Sequence, residues 1–200
     1  MHRVAIFEVP EGSYVLKFII VGDFIFTLCN SGLFLVYDRQ KPSQPKKQLQ
    51  FEETMDDFVH PNTYVNKLLF SGTNDGKPTL QLWNIMSEQK IFTFDETLAK
   101  ADSGFVSCMS QSPVVDVIVV GFEKGMIMLV NILYNDVLLT LDQSADGGPV
   151  KCVTFSTDTE MQVSLLASVT ESRDGGQNIV LWDLNEKKIS STLKKPHSGK

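Results

Sequence analysis

The chain has 200 residues, 42% of them hydrophobic and 21% charged, a balance that supports a buried core and excludes an intrinsically disordered chain. Its net charge of −6 argues against a whole surface that grips nucleic acid, because such affinity comes from Lys and Arg neutralising phosphates. No stretch approaches the roughly 20 apolar residues of a membrane span; the longest candidate, Tyr14 to Leu28, is broken by Lys17, Gly22 and Asp23.

The N-terminal Met1-His2-Arg3 leads into no long apolar region, so a secretory signal is not expected. Val4 to Val9 alternates like a strand and reads as the outermost strand of a unit lying upstream. Tyr14 to Phe18, Phe24 to Leu28 and Leu33 to Tyr37 follow as strands, with a turn at Asn30-Ser31-Gly32. Arg39, Lys41, Lys46 and Lys47 then fall in a Pro- and Gln-containing stretch, with Glu52, Glu53, Asp56 and Asp57 close behind. These predict two solvated loops of opposite sign, with a partner-docking surface as the alternative.

The second unit runs Tyr64 to Phe70, Asn74-Asp75-Gly76, Leu80 to Ile85 and Lys90 to Phe94. The third runs Val106 to Met109, Val117 to Val120, a turn at Glu123-Lys124-Gly125, Met126 to Asn131 and Val137 to Leu141. In the fourth, Val150 to Phe155 alternates after Pro149, Ser156 to Glu160 turns the chain, and Leu165 to Ser168 forms a second strand. Asp174-Gly175-Gly176 supplies a hairpin turn before Ile179 to Leu184, and Lys188 to Leu193 completes four strands. His197-Ser198-Gly199 falls where a further unit would open. The expected organisation is a stray outer strand in 1–12, units over 13–59, 60–103 and 104–147, and a last unit with the start of the next over 148–200.

One dipeptide position repeats: Tyr37-Asp38, Trp83-Asn84, Val130-Asn131 and Trp182-Asp183. The steps from 37 to 83, 83 to 130 and 130 to 182 are 46, 47 and 52 residues, slightly above the roughly 40–45 of a WD repeat. Short strands at even spacing with almost no helical period predict an all-β, WD-repeat β-propeller of about four four-stranded blades, part of an incomplete ring. Trp83 and Trp182 occupy the blade tryptophan position, whereas Tyr37 and Val130 replace it. The polar network that ties such blades together is therefore expected to be incomplete in most of them.

Little in the sequence points to chemistry. His2, His60 and His197 are far apart and lack metal-ligand spacing. No G-x-S-x-G elbow, P-loop or G-x-G-x-x-G fingerprint occurs, and adjacent carboxylates such as Asp56-Asp57 point apart on a strand. Met109, Met126 and Met128 read as core filling. Cys29, Cys108 and Cys152 form no C-x-x-C pair and lie in apolar runs, so reduced, packed thiols in an intracellular compartment are expected. No catalytic, cofactor-binding or metal-binding residue is assigned, and no cofactor, membrane or small-molecule partner is expected.

Three segments add a resemblance. His60-Pro-Asn-Thr-Tyr-Val-Asn-Lys-Leu-Leu69 with Leu80 to Ile85 is similar to a stretch of the twenty-one family of U-three snoRNA-associated proteins, the WD-repeat UTP-B subunits of the small-subunit processome. Gln111 to Val117 with Gly121, Gly125, Asn131 and Ile132 resembles that family's next blade. Gly148 to Phe155, Ile179 to Leu184 and the tail from Lys194 to His197 resemble the blade after it. The chain departs from the family at Glu171 to Gly176 and at Arg39 to Gln48.

The resemblance implies an internal fragment of the first of two tandem propellers, in proteins whose complete ring has seven blades and which carry a C-terminal helical region. It also implies a nucleolar role in 18S rRNA maturation, with other UTP-B proteins as partners and direct or indirect contact with pre-rRNA or snoRNA. The expected function is a non-enzymatic interaction scaffold. The alternative is a generic WD-repeat adaptor or substrate receptor in another intracellular complex; an enzyme on a propeller scaffold would need convergent polar groups at one channel mouth.

Overall fold

A computed structural model describes residues 7–30, 32–95, 98, 104–146, 148–156, 164–172 and 175–194. The chain forms four consecutive four-stranded antiparallel meanders. The first holds β1 (Val15–Val21), β2 (Phe24–Cys29), β3 (Leu33–Asp38) and β4 (Lys41–Gln50). The second holds β5 (Thr54–Val59), β6 (Lys67–Asn74), β7 (Lys77–Asn84) and β8 (Gln89–Thr93). The third holds β9 (Val106–Gln111), β10 (Val117–Phe122), β11 (Met126–Asn131) and β12 (Asp136–Asp142). The fourth holds β13 (Val150–Phe155), β14 (Leu165–Glu171), β15 (Gln177–Asp183) and β16 (Lys188–Lys194).

The first strands of successive sheets touch one another, β1 against β5, β5 against β9 and β9 against β13. The sheets are thus blades set around an axis, with β4, β8, β12 and β16 on the rim. Apolar residues on both faces of the middle strands explain the stacking. Phe26, Phe34, Phe58 and Phe70 fill the first joint, Leu69, Leu80, Val120 and Phe122 the second, and Val119, Ile127, Val153 and Trp182 the third. A strand buried on both faces reads as a continuous apolar run, as in Val117-Ile-Val-Val120, fully buried here.

Two expectations fail in instructive ways. Arg39 to Gln48 is not a loop, because Lys41–Gln50 is the rim strand β4, paired to β3 with two register shifts. A rim strand pairs on one side only, so Pro42 and Pro45 cost it little, and its exposed faces need no apolar residues. Likewise Asp56 and Asp57 lie on β5, the axial strand of the second blade, and not in an acidic loop. A bulge between Met55 and Asp57 breaks the period-two alternation that would have marked the strand.

The first blade therefore ends at Gln50 and the second begins at Thr54, ahead of the boundary expected at residue 60. Tyr64, expected in a strand, lies in the β5–β6 loop. Of the expected strand Val4 to Val9, residues 4–6 lie outside the described part and residues 7–9 take no strand conformation. Most of the expected turn 156–160, Asp174 in the Gly-rich turn, and residues 195–199 also lie outside it.

Gly125 shows why one turn needs glycine. Its φ is +84°, and a Cβ there would come within 2.9 Å of the Ser144 backbone. Gly125→Ala is expected to cost about 1–3 kcal/mol, read as a lowered Tm of the intact protein; an unchanged Tm would show that the turn relaxes freely.

Candidate interaction surface

The second residue of each repeated dipeptide does the same work in all four blades. Asp38 Oδ1 accepts from the Gln40 amide at 2.8 Å. Asn84 Oδ1 accepts from the Met86 and Ser87 amides at 3.0 and 3.2 Å. Asn131 Oδ1 accepts from Leu133 and Tyr134 at 3.0 and 3.1 Å, and Asp183 Oδ1 from Asn185 and Glu186 at 3.0 and 2.9 Å. Either Asp or Asn serves, because only a short side-chain oxygen is needed to close the turn into the rim strand.

The first residue of each dipeptide packs among apolar side chains, in an inter-blade joint for Trp83, Val130 and Trp182 and beside Val9 on the outer face of the first blade for Tyr37, and what surrounds it differs by blade. Trp182, buried, donates from Nε1 to Ser168 Oγ at 2.8 Å. Ser168 Oγ donates to Gln143 Oε1 at 2.6 Å, and Gln143 Nε2 donates to Thr170 Oγ1 at 2.7 Å. The sequence does not reveal this polar chain, since Gln143, which links Ser168 to Thr170, stands outside every strand and carries no motif.

Cross-strand register identifies the matching positions. Leu166 pairs with Trp182 and Leu68 with Trp83, so Ser168 and Thr170 correspond to Phe70 and Gly72. The backbone amides of Gln143 and Phe51 make equivalent bonds, to the Gly125 and Gly32 carbonyls, so Gln143 corresponds to Phe51. In the second blade the polar set is thus aromatic: Phe51 lies 5.0 Å from the Trp83 ring and 4.9 Å from Phe70. Trp83 Nε1 donates instead to Gln81 Oε1 at 2.8 Å, and Gln81 Nε2 donates to the Glu53 carboxylate. In the third blade Val130, Val120 and Phe122 are all fully buried and apolar. In the first, the Tyr37 hydroxyl donates to the Glu8 carbonyl at 2.7 Å, and Phe7 packs edge-on at 5.3 Å. A buried network with one missing member is worse than none, which explains why the set changes together.

Near the axis, Asp57 joins three blades. Its Oδ1 accepts from Lys17 Nζ of the first blade at 2.6 Å and from the Phe58 amide at 2.8 Å. Its Oδ2 accepts from the Met109 amide of the third blade at 3.1 Å. One basic rim residue also stitches blades, since Lys47 donates to the Met86 carbonyl at 2.6 Å and pairs with Glu88 at 2.9 Å, whereas Lys46 stays within the first blade, 5.0 Å over the Phe24 ring. Of the cysteines, Cys29 is buried, and burial raises its thiol pKa. Cys108 is half-buried; burial first, and the nearby Cys152 second, push its thiol up to about 12. Cys152 is exposed on β13, which corrects the expectation that it is a packed thiol.

His60 stacks on Phe26 at 6.5 Å, and its buried Nε2 has no hydrogen-bond partner among the described residues. Burial lowers its pKa, against a smaller raising effect of its backbone bonds to Tyr64 and Val65. The unfolded chain therefore takes up this proton first, and stability is expected to fall as pH drops below about 6.5, the unperturbed His value. His60→Phe keeps the stack and should flatten the melting-temperature profile between pH 7 and pH 5.5. An unchanged slope would show that another group carries it.

The loops after the first and third strands of a meander emerge at one end. There Val65 (80% exposed), Val114, Val115, Leu133 and Tyr134 (77% exposed) form an apolar loop face on the second and third blades. A cavity of about 470 Å³ opens among Tyr64, Lys67, Asn84, Asp116 and Leu133. Burial and then its hydrogen bond to Asp116 push the Tyr64 phenol up to about 12. At the two ends of the array, sheet faces stand open. Phe18 and Ile20 of β1 are 62% and 56% exposed, and Leu193 of β16 is 51% exposed. Among the described residues no group of three His, Cys, Asp or Glu could hold a metal, and no helix is long and apolar enough to cross a membrane.

A family model described as the WDR36/Utp21 first beta-propeller matches residues 1–200. The chain belongs to this family. Human WD repeat-containing protein 36 is 29% identical over 180 residues, covering 88% of this chain and 18% of that protein. The U3 small nucleolar RNA-associated protein 21 homolog of Schizosaccharomyces pombe is 31% identical over 142 residues, covering 71% of this chain and 14% of that protein. The chain thus spans less than a fifth of either relative. The crystal structure of the WD40 beta propeller domain of Doa1 superposes with a TM-score of 0.68 at 17% identity, covering 91% of this chain and 54% of that one. At that identity the likeness speaks for the fold, which is a WD-repeat β-propeller array, as its strand order indicates.

Proposed function

We propose that the chain is a stretch of blades in a larger propeller that works as a non-enzymatic protein-interaction scaffold in small-subunit ribosome biogenesis. The observation that carries this reading is the family match along residues 1–200, which includes a relative named for association with U3 small nucleolar RNA. The surface supports it. Val65, Val114, Leu133 and Tyr134 on loops at one end, and Phe18, Ile20 and Leu193 on open sheet faces, give exposed apolar surface where partners or further blades can seat. On this reading Phe18, Ile20 and Leu193 meet neighbouring blades, while the loop face meets other processome proteins. RNA contact is direct or passes through those proteins, and the protein works in the nucleolus.

Native affinity purification of the intact protein tests this. Recovery of U3 small nucleolar RNA together with processome proteins is expected. Recovery of neither, or of ubiquitin-ligase subunits in their place, would overturn it in favour of an unrelated WD-repeat receptor.

A further inference from the structure

The two blade tryptophans differ in a way the fold alone does not require. Trp182 is sealed in its joint at 5% exposure, whereas Trp83 opens onto a cleft of about 330 Å³ between the rim strand β4 and the second blade. Phe51, Met55 and Trp83 form its apolar wall, and Glu52, Glu53 and Glu88 complete the lining, Glu88 being paired with Lys47. A cation of the chain itself already sits there. Lys90 Nζ lies 5.9 Å from the Trp83 ring and 3.2 Å from Glu53 Oε1.

We infer that this cleft is a docking site for an arginine side chain of a partner polypeptide. A guanidinium is planar, so it can lie on the indole face while its donors fork to carboxylates, a match the compact ammonium of lysine makes less well. Glu53 is fixed for the role. One of its oxygens accepts from Gln81 Nε2, which in turn anchors Trp83, and the other meets Lys90. Lys90 is 42% exposed, so it can swing into water at little cost and cede Glu53 Oε1 to the incoming group. Glu52 is exposed and supplies a second carboxylate without giving up a structural bond. Both walls belong to the first two blades, so the site does not depend on how the ring is completed. The inference rests on the scaffold reading only in taking the arginine to come from a protein partner.

The test uses the intact protein and a short acetylated Gly-Arg-Gly peptide, with the Gly-citrulline-Gly peptide as neutral control, read by tryptophan fluorescence and by chemical-shift or calorimetric titration. Saturable binding of the arginine peptide and not the citrulline peptide is expected. It should tighten several-fold in Lys90→Ala and weaken about tenfold in Glu52→Gln/Glu53→Gln, in line with loss of charge-assisted bonds. Each variant's far-ultraviolet circular dichroism and melting temperature check that it has folded. Equal binding of both peptides, or no saturable binding by folded protein, would overturn the inference. The purification experiment reports separately on the scaffold reading, so the two can fail independently.

Discussion

Trp182→Ala is expected to lower the stability of the intact protein by about 3–5 kcal/mol, the range for large buried aromatics. Two effects add. The indole fills the joint between the third and fourth blades beside Val119, Ile127 and Val153, so its removal leaves a cavity. It also strands Ser168 Oγ, which accepts from the indole while donating to Gln143. Gln143→Ala should cost roughly 2–4 kcal/mol although no strand contains it, because Ser168 and Thr170 lose partners at full burial. The two changes share a network, so a double-mutant cycle measured by denaturant unfolding should give a combined loss well below the sum. Strict additivity would mean that the network does not act as a unit. Trp83→Ala should cost less, since its ring already borders an open cleft.

The second large effect is expected at Asp57. Asp57→Ala removes the acceptor of bonds from three blades and leaves Lys17 Nζ and the Met109 amide without it. Breaking a buried pair by deleting one partner costs about 3–5 kcal/mol. The Lys17 and Asp57 side chains keep 30% and 19% exposure, which allows water to take part, so about 2–3 kcal/mol is expected. The loss should appear as faster amide exchange on β1, β5 and β9 together. Asp57→Asn retains an acceptor and should lose less. A loss confined to β5 would contradict a three-blade role.

The sequence makes the blade count and the position of each third strand legible, because those strands carry apolar residues on both faces and end in an Asx turn. Asp38, Asn84, Asn131 and Asp183 mark that turn whichever residue precedes them. Rim and axial strands are harder to see. Lys41–Gln50 has the composition of a loop because it pairs on one side and faces water. Thr54–Val59 hides behind a bulge that places two aspartates side by side.

The polar network is hidden for another reason. Its members, Gln143, Ser168, Thr170 and Trp182, are ordinary residues at irregular spacing, brought together by a joint between two blades. The same holds for the arginine cleft, whose walls come from β4, the β4–β5 turn, β5, β7 and β8. The sequence reads Glu52 and Glu53 as part of a solvated loop and Lys90 as the start of a strand. Register and packing turn Lys47 and Glu88 into a stitch between blades, and Glu53 and Lys90 into a lining.

As consecutive blades of a larger propeller, the four sheets should join further blades through their open faces. Electron cryo-microscopy of the intact protein tests this most directly. Additional four-stranded sheets are expected on the β1 face bearing Phe18 and Ile20 and on the β16 face bearing Leu193, closing one ring about the axis lined by β1, β5, β9 and β13. A map in which either face is left in water, or is covered by helices in place of a blade, would contradict it.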